Sequence, residues 1–341
     1  MTYAVQSQVI AGVGEVSPLG HFLPRPQNDL LTSSKPKCII IQKSKNQRRK
    51  NMYKLIASDL DGTLLNSYGE VTENTKQVIK KIQDKGIEFI IASGRPMDSI
   101  KTIAKTINSN KYFIAGNGAI IYDIQNQKTI YENCIPKNKV LEISKICQEN
   151  NITYNIYTEQ EVIAEALKYN VLYYYKENLK KAENEKTKIK LVDNLYEYIQ
   201  TTQELKCIKI TVCDNSKSVF NSIIKKLQTI QNIDIMEVSH MSRKIIRQGT
   251  EEVPIEYFYT EISSTNVDKW EALKYLAQVM QIKQEEIIAV GDNINDKKMI
   301  QNAGVGICMG QSAPNIKEVA DYVTGDNNNE GVAEALLKFC E

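Results

Sequence analysis

The chain has 341 residues, a formal net charge of +2, 42% hydrophobic and 25% charged residues, which fits a two-domain soluble enzyme. No run approaches the roughly 18 to 20 continuous apolar residues of a membrane span, and the N-terminus lacks the basic start and apolar core of a secretory signal. Seven scattered cysteines with no Cys-x-x-Cys, and only His21 and His240, argue against a zinc site, a disulfide framework and histidine-based catalysis, leaving reduced thiols in a cytoplasmic setting.

The charge is unevenly placed. Residues 1–51 carry eight basic side chains (Arg25, Lys35, Lys37, Lys43, Lys45, Arg48, Arg49, Lys50) against Glu15 and Asp29, so the remaining chain is weakly acidic. Such a body offers no electrostatic footprint for nucleic acid. The Pro, Asn, Ser and Gln content of the head and its lack of periodicity predict a disordered extension that adds nothing to the fold.

From residue 54 onward, strand and helix alternate as a doubly wound α/β sheet requires. Residues 54–58 read as strand. Thr72 precedes a helical pattern carrying Val78, Ile79 and Ile82, which Gly86 stops before a strand at 87–92. A short apolar run leads to Asn117-Gly118, a strong turn signal, and Pro136 marks a change of element. Next come a helix at 140–147, a strand pair at 153–157 and 162–164, and a helix in which Tyr169, Tyr173, Tyr174 and Tyr175 read as packing residues. The Lys- and Glu-rich stretch 176–190 reads as solvated helix or loop. A strand at 208–212, a helix at 219–230 and a strand at 233–238 follow. Arg243, Lys244 and Arg247, near His240, read as a solvated loop, and 255–262 leads back toward the first part of the chain. The remainder reads as helix 270–280, strand 287–290, helix 297–301, strand 305–309 and a terminal helix.

The most informative segment is Asp59-Leu60-Asp61-Gly62-Thr63. In an extended chain, residues i and i+2 point to one side, so Asp59 and Asp61 project together from the carboxyl end of the first strand, where open α/β sheets bind ligands. Adjacent carboxylates repel and need a proton or a metal. One can then attack an electrophile while the other handles the leaving group's proton.

Asp59-Leu60-Asp61-Gly62-Thr63-Leu64-Leu65 resembles the first motif of the haloacid dehalogenase superfamily of phosphotransferases. Ile90-Ile91-Ala92-Ser93-Gly94-Arg95-Pro96 resembles the second motif, Val267-Asp268-Lys269 the third, and Ile287 through Asp296 the fourth. Only about thirty residues separate the first two motifs, whereas 175 lie between Ser93 and Lys269, far beyond one crossover connection. That arrangement looks like the Cof-type subfamily, as do Tyr112 through Ala119 and Ala303 through Gly310. The resemblance implies a core domain at 52–134 and 264–341 and an α/β cap at 135–263, and leaves the basic extension at 1–51 outside it.

By the same resemblance, Asp59 attacks phosphorus and Asp61 first protonates the leaving alkoxide, then activates water. Asp59, the Asp61 carbonyl, Asp292 and Asp296 hold a metal, and an all-oxygen set of this kind suits Mg²⁺. Ser93 and Lys269 bind the phosphate's non-bridging oxygens, Asn295 contacts the phosphate or orients Asp296, and Asn117 contacts substrate. The usual glycine after the lysine is Trp270 here, and Gly310-Gln311-Ser312-Ala313 replaces a glycine-asparagine-alanine. The expected activity is hydrolysis of a small phosphorylated metabolite of the sugar phosphate, pyridoxal phosphate or flavin mononucleotide class. A phosphomutase and a non-enzymatic binding protein are the alternatives.

Overall fold

The computed structural model describes residues 53–109, 111–179, 183, 186–236, 241–248 and 251–341, without the side chains of residues 177, 241–248 and 251–255. The expectations for residues 1–51, for His240 and for the side chains of Arg243, Lys244 and Arg247 lie outside the described residues.

Fifteen strands are described. Their order is β1 (Leu55–Ser58), β2 (Glu88–Ala92), β3 (Tyr112–Ala115), β4 (Ile120–Asp123), β5 (Lys128–Glu132), β6 (Thr153–Tyr157), β7 (Glu161–Ala164), β8 (Lys188–Leu191), β9 (Lys209–Asp214), β10 (Ile233–Ile235), β11 (Met241–Gln248), β12 (Glu251–Ser264), β13 (Ile287–Gly291), β14 (Val305–Cys308) and β15 (Tyr322–Val323). The helices are α1 (Glu73–Asp84), α2 (Met97–Thr106), α3 (Lys137–Glu149), α4 (Tyr169–Asn178), α5 (Leu195–Thr201), α6 (Lys217–Leu227), α7 (Lys269–Val279), α8 (Lys297–Asn302), α9 (Pro314–Lys317) and α10 (Gly331–Cys340).

The first sheet runs β15-β14-β13-β1-β2-β3-β4-β5. It is parallel from β15 to β3, and β4 and β5 add an antiparallel edge. This is the expected α/β fold. The chain leaves β1 toward β2 and β3 on one side and returns through β13 and β14 on the other. The strand order therefore reverses beside β1, which opens a crevice at the carboxyl ends.

Alternation along β1 shows why this strand is central. Leu55 and Ala57 join one apolar layer with Trp270, Leu273 and Leu276 of α7, while Ile56 joins the other with Val78 and Ile82 of α1 and Leu336 of α10. A strand covered on both faces reads as a continuous apolar run, as residues 54–58 do. Thr72 caps α1 by accepting from the Thr75 amide, and Gly86 takes φ +82° just past its end, as the sequence predicts.

A second, mixed sheet lies between β5 and α7 in sequence, ordered β10-β12-β9-β6-β7-β8 with β11 beside β12. One face packs on α3, α5 and α6 through Ile156, Ile210, Val212 and Ile262, which cluster with Phe220 of α6. Tyr157, Val162, Ala164 and Ile208 instead join the first sheet's apolar layer with Ala115 and Ala119. Ion pairs Lys206–Glu132 (2.5 Å) and Lys188–Asp98 (3.3 Å) also link the two parts.

Two readings are corrected. The stretch that holds Arg243, Lys244 and Arg247 is not a loop, because Met241–Gln248 form β11, whose backbone pairs antiparallel with β12 whatever charge its side chains carry. The stretch 176–190 is not wholly helix or loop, because residues 188–191 form β8, paired in parallel with β7. Its side chains are mostly exposed, so the strand gains backbone bonding rather than burial, and an apolar-run criterion passes over it. The antiparallel strands β4 and β5 and the helices α2 and α5 are likewise not assigned from the sequence.

The turn Gly116–Gly118 connects the sheet to the site. Gly118 has φ +107°, and a Cβ there would overlap the Asp268 carbonyl at the start of α7. Gly118→Ala should therefore lower stability by about 1–3 kcal/mol in chemical denaturation. Gly69→Ala, at φ +79° with open space around its Cβ position, incurs only backbone strain and should be the milder variant.

Candidate active site

Asp59 follows β1, Ser93 follows β2 and Asp292 follows β13, so three motif residues leave adjacent parallel strands at the same end. Ser58 pairs with Ile91 and Val290, which sets Asp59 beside the other two strand ends. Lys269 is the first residue of α7, whose N-cap Asp268 accepts from the Glu271 amide. The capping bond fixes the helix start and with it the lysine's origin.

Lys269 is fully buried and donates to Asp59 Oδ1 at 2.5 Å and to Asp296 Oδ1 at 2.6 Å. The other Asp296 oxygen accepts from the backbone N–H groups of Asp292 and Asn293, each at 3.0 Å. Asp296 thus closes its own loop while holding the lysine. Asp292 accepts from Thr63 Oγ1 at 3.0 Å. A Cβ on Gly62 would come within 2.6 Å of the Asp292 carboxylate, so this position must be glycine for the first and fourth motif loops to approach.

Carboxylate oxygens of Asp59, Asp292 and Asp296 lie within 4.8 Å of one another. One lysine cannot neutralise three carboxylates. Burial, with the neighbouring Asp296 next in weight, pushes Asp59 up to about 8 despite Lys269, and the same two causes push Asp292 up to about 6. Burial alone would discharge Lys269, but its two carboxylate partners raise its affinity for the proton. A compact set of hard oxygen donors carrying surplus negative charge fits a hard divalent cation.

Asp61 lies apart from this cluster. Its carboxylate takes two bonds from Arg95, at 2.7 Å from Nε and 2.5 Å from Nη2, and it is more than half exposed. Ser93 is buried and its Oγ accepts from the Arg95 amide at 3.2 Å. Asn295 donates through Nδ2 to Asn117 Oδ1 at 3.0 Å, and Asn117 Nδ2 donates to Glu261 at 3.2 Å. The structure therefore brings Asp59, Asp292, Asp296 and Lys269 into one cluster, and Asn117 and Asn295 into a second, bonded pair. Lys269, expected at the phosphate, is held between two carboxylates. Trp270 is buried with Ile114, Ile121 and Leu273, which accounts for an aromatic residue where the resemblance has glycine.

Sequence reasoning gave Arg95, Thr63, Lys209 and Glu261 no role. Arg95 stood inside the quoted second motif. Lys209 could have been noticed as a charge within the apolar run Cys207-Ile208-Lys209-Ile210, since a buried charge demands a partner.

The family profile of haloacid dehalogenase-like hydrolases matches residues 56–336, and the chain belongs to that family, in its Cof-type branch. The phosphatase YwpJ of Bacillus subtilis is 28% identical over 83% of this chain and 98% of its own length. The 5-amino-6-(5-phospho-D-ribitylamino)uracil phosphatase YcsE of the same species is 23% identical over 85% and 97%. Among solved structures, a haloacid dehalogenase-like hydrolase from Bacteroides thetaiotaomicron superimposes with a TM-score of 0.67 at 27% identity, covering 84% of this chain and 99% of that one. The chain is a hydrolase of this superfamily. Among the described residues, no helix is long and apolar enough to cross a membrane.

The raised carboxyl groups set a sign for stability. A folded-state carboxyl that holds its proton more tightly than the unfolded chain makes the folded state bind more protons, so stability falls as pH rises. For Asp59 the window runs from the ordinary value of 3.8 to about 8, and for Asp292 from 3.8 to about 6. These two groups should therefore lower the melting temperature of metal-stripped protein between pH 5 and pH 8. Excess Mg²⁺ should flatten that decline and raise the melting temperature most at the alkaline end, as scanning calorimetry would show.

Proposed function

We propose that the protein is a Mg²⁺-dependent phosphatase that hydrolyses a small phosphate monoester through an aspartyl phosphate on Asp59. The observation that carries this reading is the buried cluster of Asp59, Asp292 and Asp296 around Lys269 at a topological switch point. The match to relatives named as phosphatases supports it.

In this mechanism the Asp59 carboxylate attacks phosphorus and the bond to the leaving alkoxide breaks. Asp61 supplies the alkoxide's proton. Water then attacks the aspartyl phosphate, giving its proton to Asp61 and releasing phosphate and free Asp59. A carboxylate held by two guanidinium N–H groups accepts rather than donates, so Asp61 serves as acid only after Arg95 releases it. Lys269 holds the Asp59 carboxylate in place, and Ser93 is the hydroxyl available at the phosphate end of β2. Asp59, Asp292, Asp296 and the Asp61 carbonyl would hold Mg²⁺, which when bound screens the carboxylates and polarises the phosphoryl oxygens.

The segment 135–263 acts as a cap over this crevice, excluding water from the first half-reaction and admitting it to the second. Its inner face carries Tyr259, Tyr174 and the Lys209–Glu261 pair, which perturb one another electrostatically. Aromatic and charged groups together suit a sugar phosphate, pyridoxal phosphate or flavin mononucleotide, with no call for a nucleic acid or membrane partner in a cytoplasmic enzyme.

Asp59→Asn should leave less than about one per cent of wild-type turnover in a screen of phosphorylated metabolites, because loss of a covalent nucleophile removes several orders of magnitude. Chelation should abolish activity, and Mg²⁺ should restore it better than Ca²⁺, whose looser coordination suits in-line transfer poorly. Substantial turnover by Asp59→Asn, or in excess chelator, contradicts the mechanism.

A further inference from the structure

A second buried charge pair takes no part in the phosphoryl transfer itself. Lys209, at the start of β9, is only 7% exposed. Its Nζ donates to Glu261 Oε1 at 2.7 Å and to the Gly94 carbonyl at 3.4 Å, and lies 4.8 Å from the Tyr157 ring centroid. Burying an ion pair is a poor route to stability, since well-packed apolar residues do as well or better. The pair's remaining bonds show another use. Glu261 Oε2 accepts from Asn117 Nδ2, and Asn117 Oδ1 accepts from Asn295 Nδ2. Four side chains thus form a continuous path from the second sheet into the loop that carries Asp292 and Asp296.

Each link is directional. A carboxylate only accepts, so Glu261 obliges Asn117 to present its NH₂ there and its carbonyl to Asn295. Asn117 is held at φ 58°, ψ 26°, a left-handed conformation that asparagine tolerates better than most residues. A Cβ on Gly94 would lie 2.6 Å from Asn117 Oδ1, so the second motif leaves room for this amide. Asn295 belongs to the short turn Ile294–Asp296, which the Asp296 carboxylate caps. Fixing Asn295 therefore fixes the turn whose last residue holds Lys269.

We propose that Glu261, fixed by Lys209, is a positioning residue. Through Asn117 it sets Asn295 and the loop from Asp292 to Asp296, so seating the second sheet on the first and assembling the acidic centre are one event. The kinetic part of this inference rests on the phosphatase reading, whereas its structural part does not. The pair is contributed by β9 and β12, next to both crossings between the two sheets. Cys207 bridges to Ile135 at one crossing, and Thr265 accepts from Asn133 at the other.

Asn117→Asp separates the links. The aspartate still accepts from Asn295 and tolerates the left-handed backbone, but it sets one carboxylate against another at Glu261. In metal-free protein, hydrogen exchange at the Asp292 and Asn293 amides should quicken by about tenfold, the worth of a charge-assisted hydrogen bond in an opening equilibrium. With p-nitrophenyl phosphate, kcat should fall about tenfold to hundredfold, as loss of a supporting contact does, while KM changes little. Adding Glu261→Gln to Asn117→Asp restores a donor facing the new carboxylate and should recover most of both losses. Asn117→Gly keeps the backbone conformation, removes both bonds, and should match Asn117→Asp. Wild-type exchange in Asn117→Gly, or no recovery in the double variant, overturns the proposal. Absence of turnover in the wild-type protein refutes only the phosphatase reading, since the exchange measurement on metal-free protein decides the positioning role by itself.

Discussion

The structure around the crevice depends on one ammonium group. Lys269 Nζ sits between Asp59 and Asp296 with no exposure to solvent. Without it, two buried carboxylates would face each other and Asp292 with nothing to balance them, which costs several kcal/mol per uncompensated charge. The lysine reduces that repulsion without removing it. What remains is a pocket of surplus negative charge in which Asp59 and Asp292 hold protons more tightly than ordinary carboxyls, and such a pocket would suit a small divalent cation. The apparent excess of negative charge at a site meant for a phosphate dianion is therefore the feature that would make the site metal-dependent.

The fold supplies this arrangement through strand ends and helix starts rather than long loops. Parallel pairing of β1 with β2 and β13 brings the first, second and fourth motifs together at the carboxyl ends of the central strands. The capped start of α7 delivers Lys269 from the opposite layer. Glycines at 62 and 118 leave room where the backbone of one motif meets a side chain or carbonyl of another. Rigid elements hold reacting groups more closely than mobile ones, whereas Asn295 and Asp296 lie on the short turn Ile294–Asp296. The bonds from Asn117 reach that turn.

Legibility in the sequence followed the physics of each feature. Strands buried on both faces, such as residues 54–58 and 287–290, announce themselves as apolar runs, and the carboxylates at their ends are conspicuous. Lys269 and Asp296 were expected in the site, but their mutual bond was not, because 27 residues separate them and only the packing of α7 on the sheet brings them together. Arg95 was quoted within its motif and its partner Asp61 was named, yet nothing local requires that they meet. Strand β8 was missed because edge pairing of exposed, lysine-rich residues leaves no hydrophobic signal. The Lys209–Glu261–Asn117–Asn295 path was invisible for a different reason, since Asn117 and Asn295 were expected at the site and Lys209 stands out in its apolar run, but their bonds cross up to 178 residues of sequence.

The central claim is that the Asp59 carboxylate becomes covalently phosphorylated. Acid quenching during turnover of p-nitrophenyl phosphate with Mg²⁺, followed by borohydride reduction and peptide mass spectrometry, tests it directly. Reduction of an aspartyl phosphate leaves homoserine, and the account predicts that mass change at residue 59, with more of it in Asp61→Asn, where the water-activating carboxylate is lost. Turnover without modification at residue 59, or modification at another carboxylate, would contradict it.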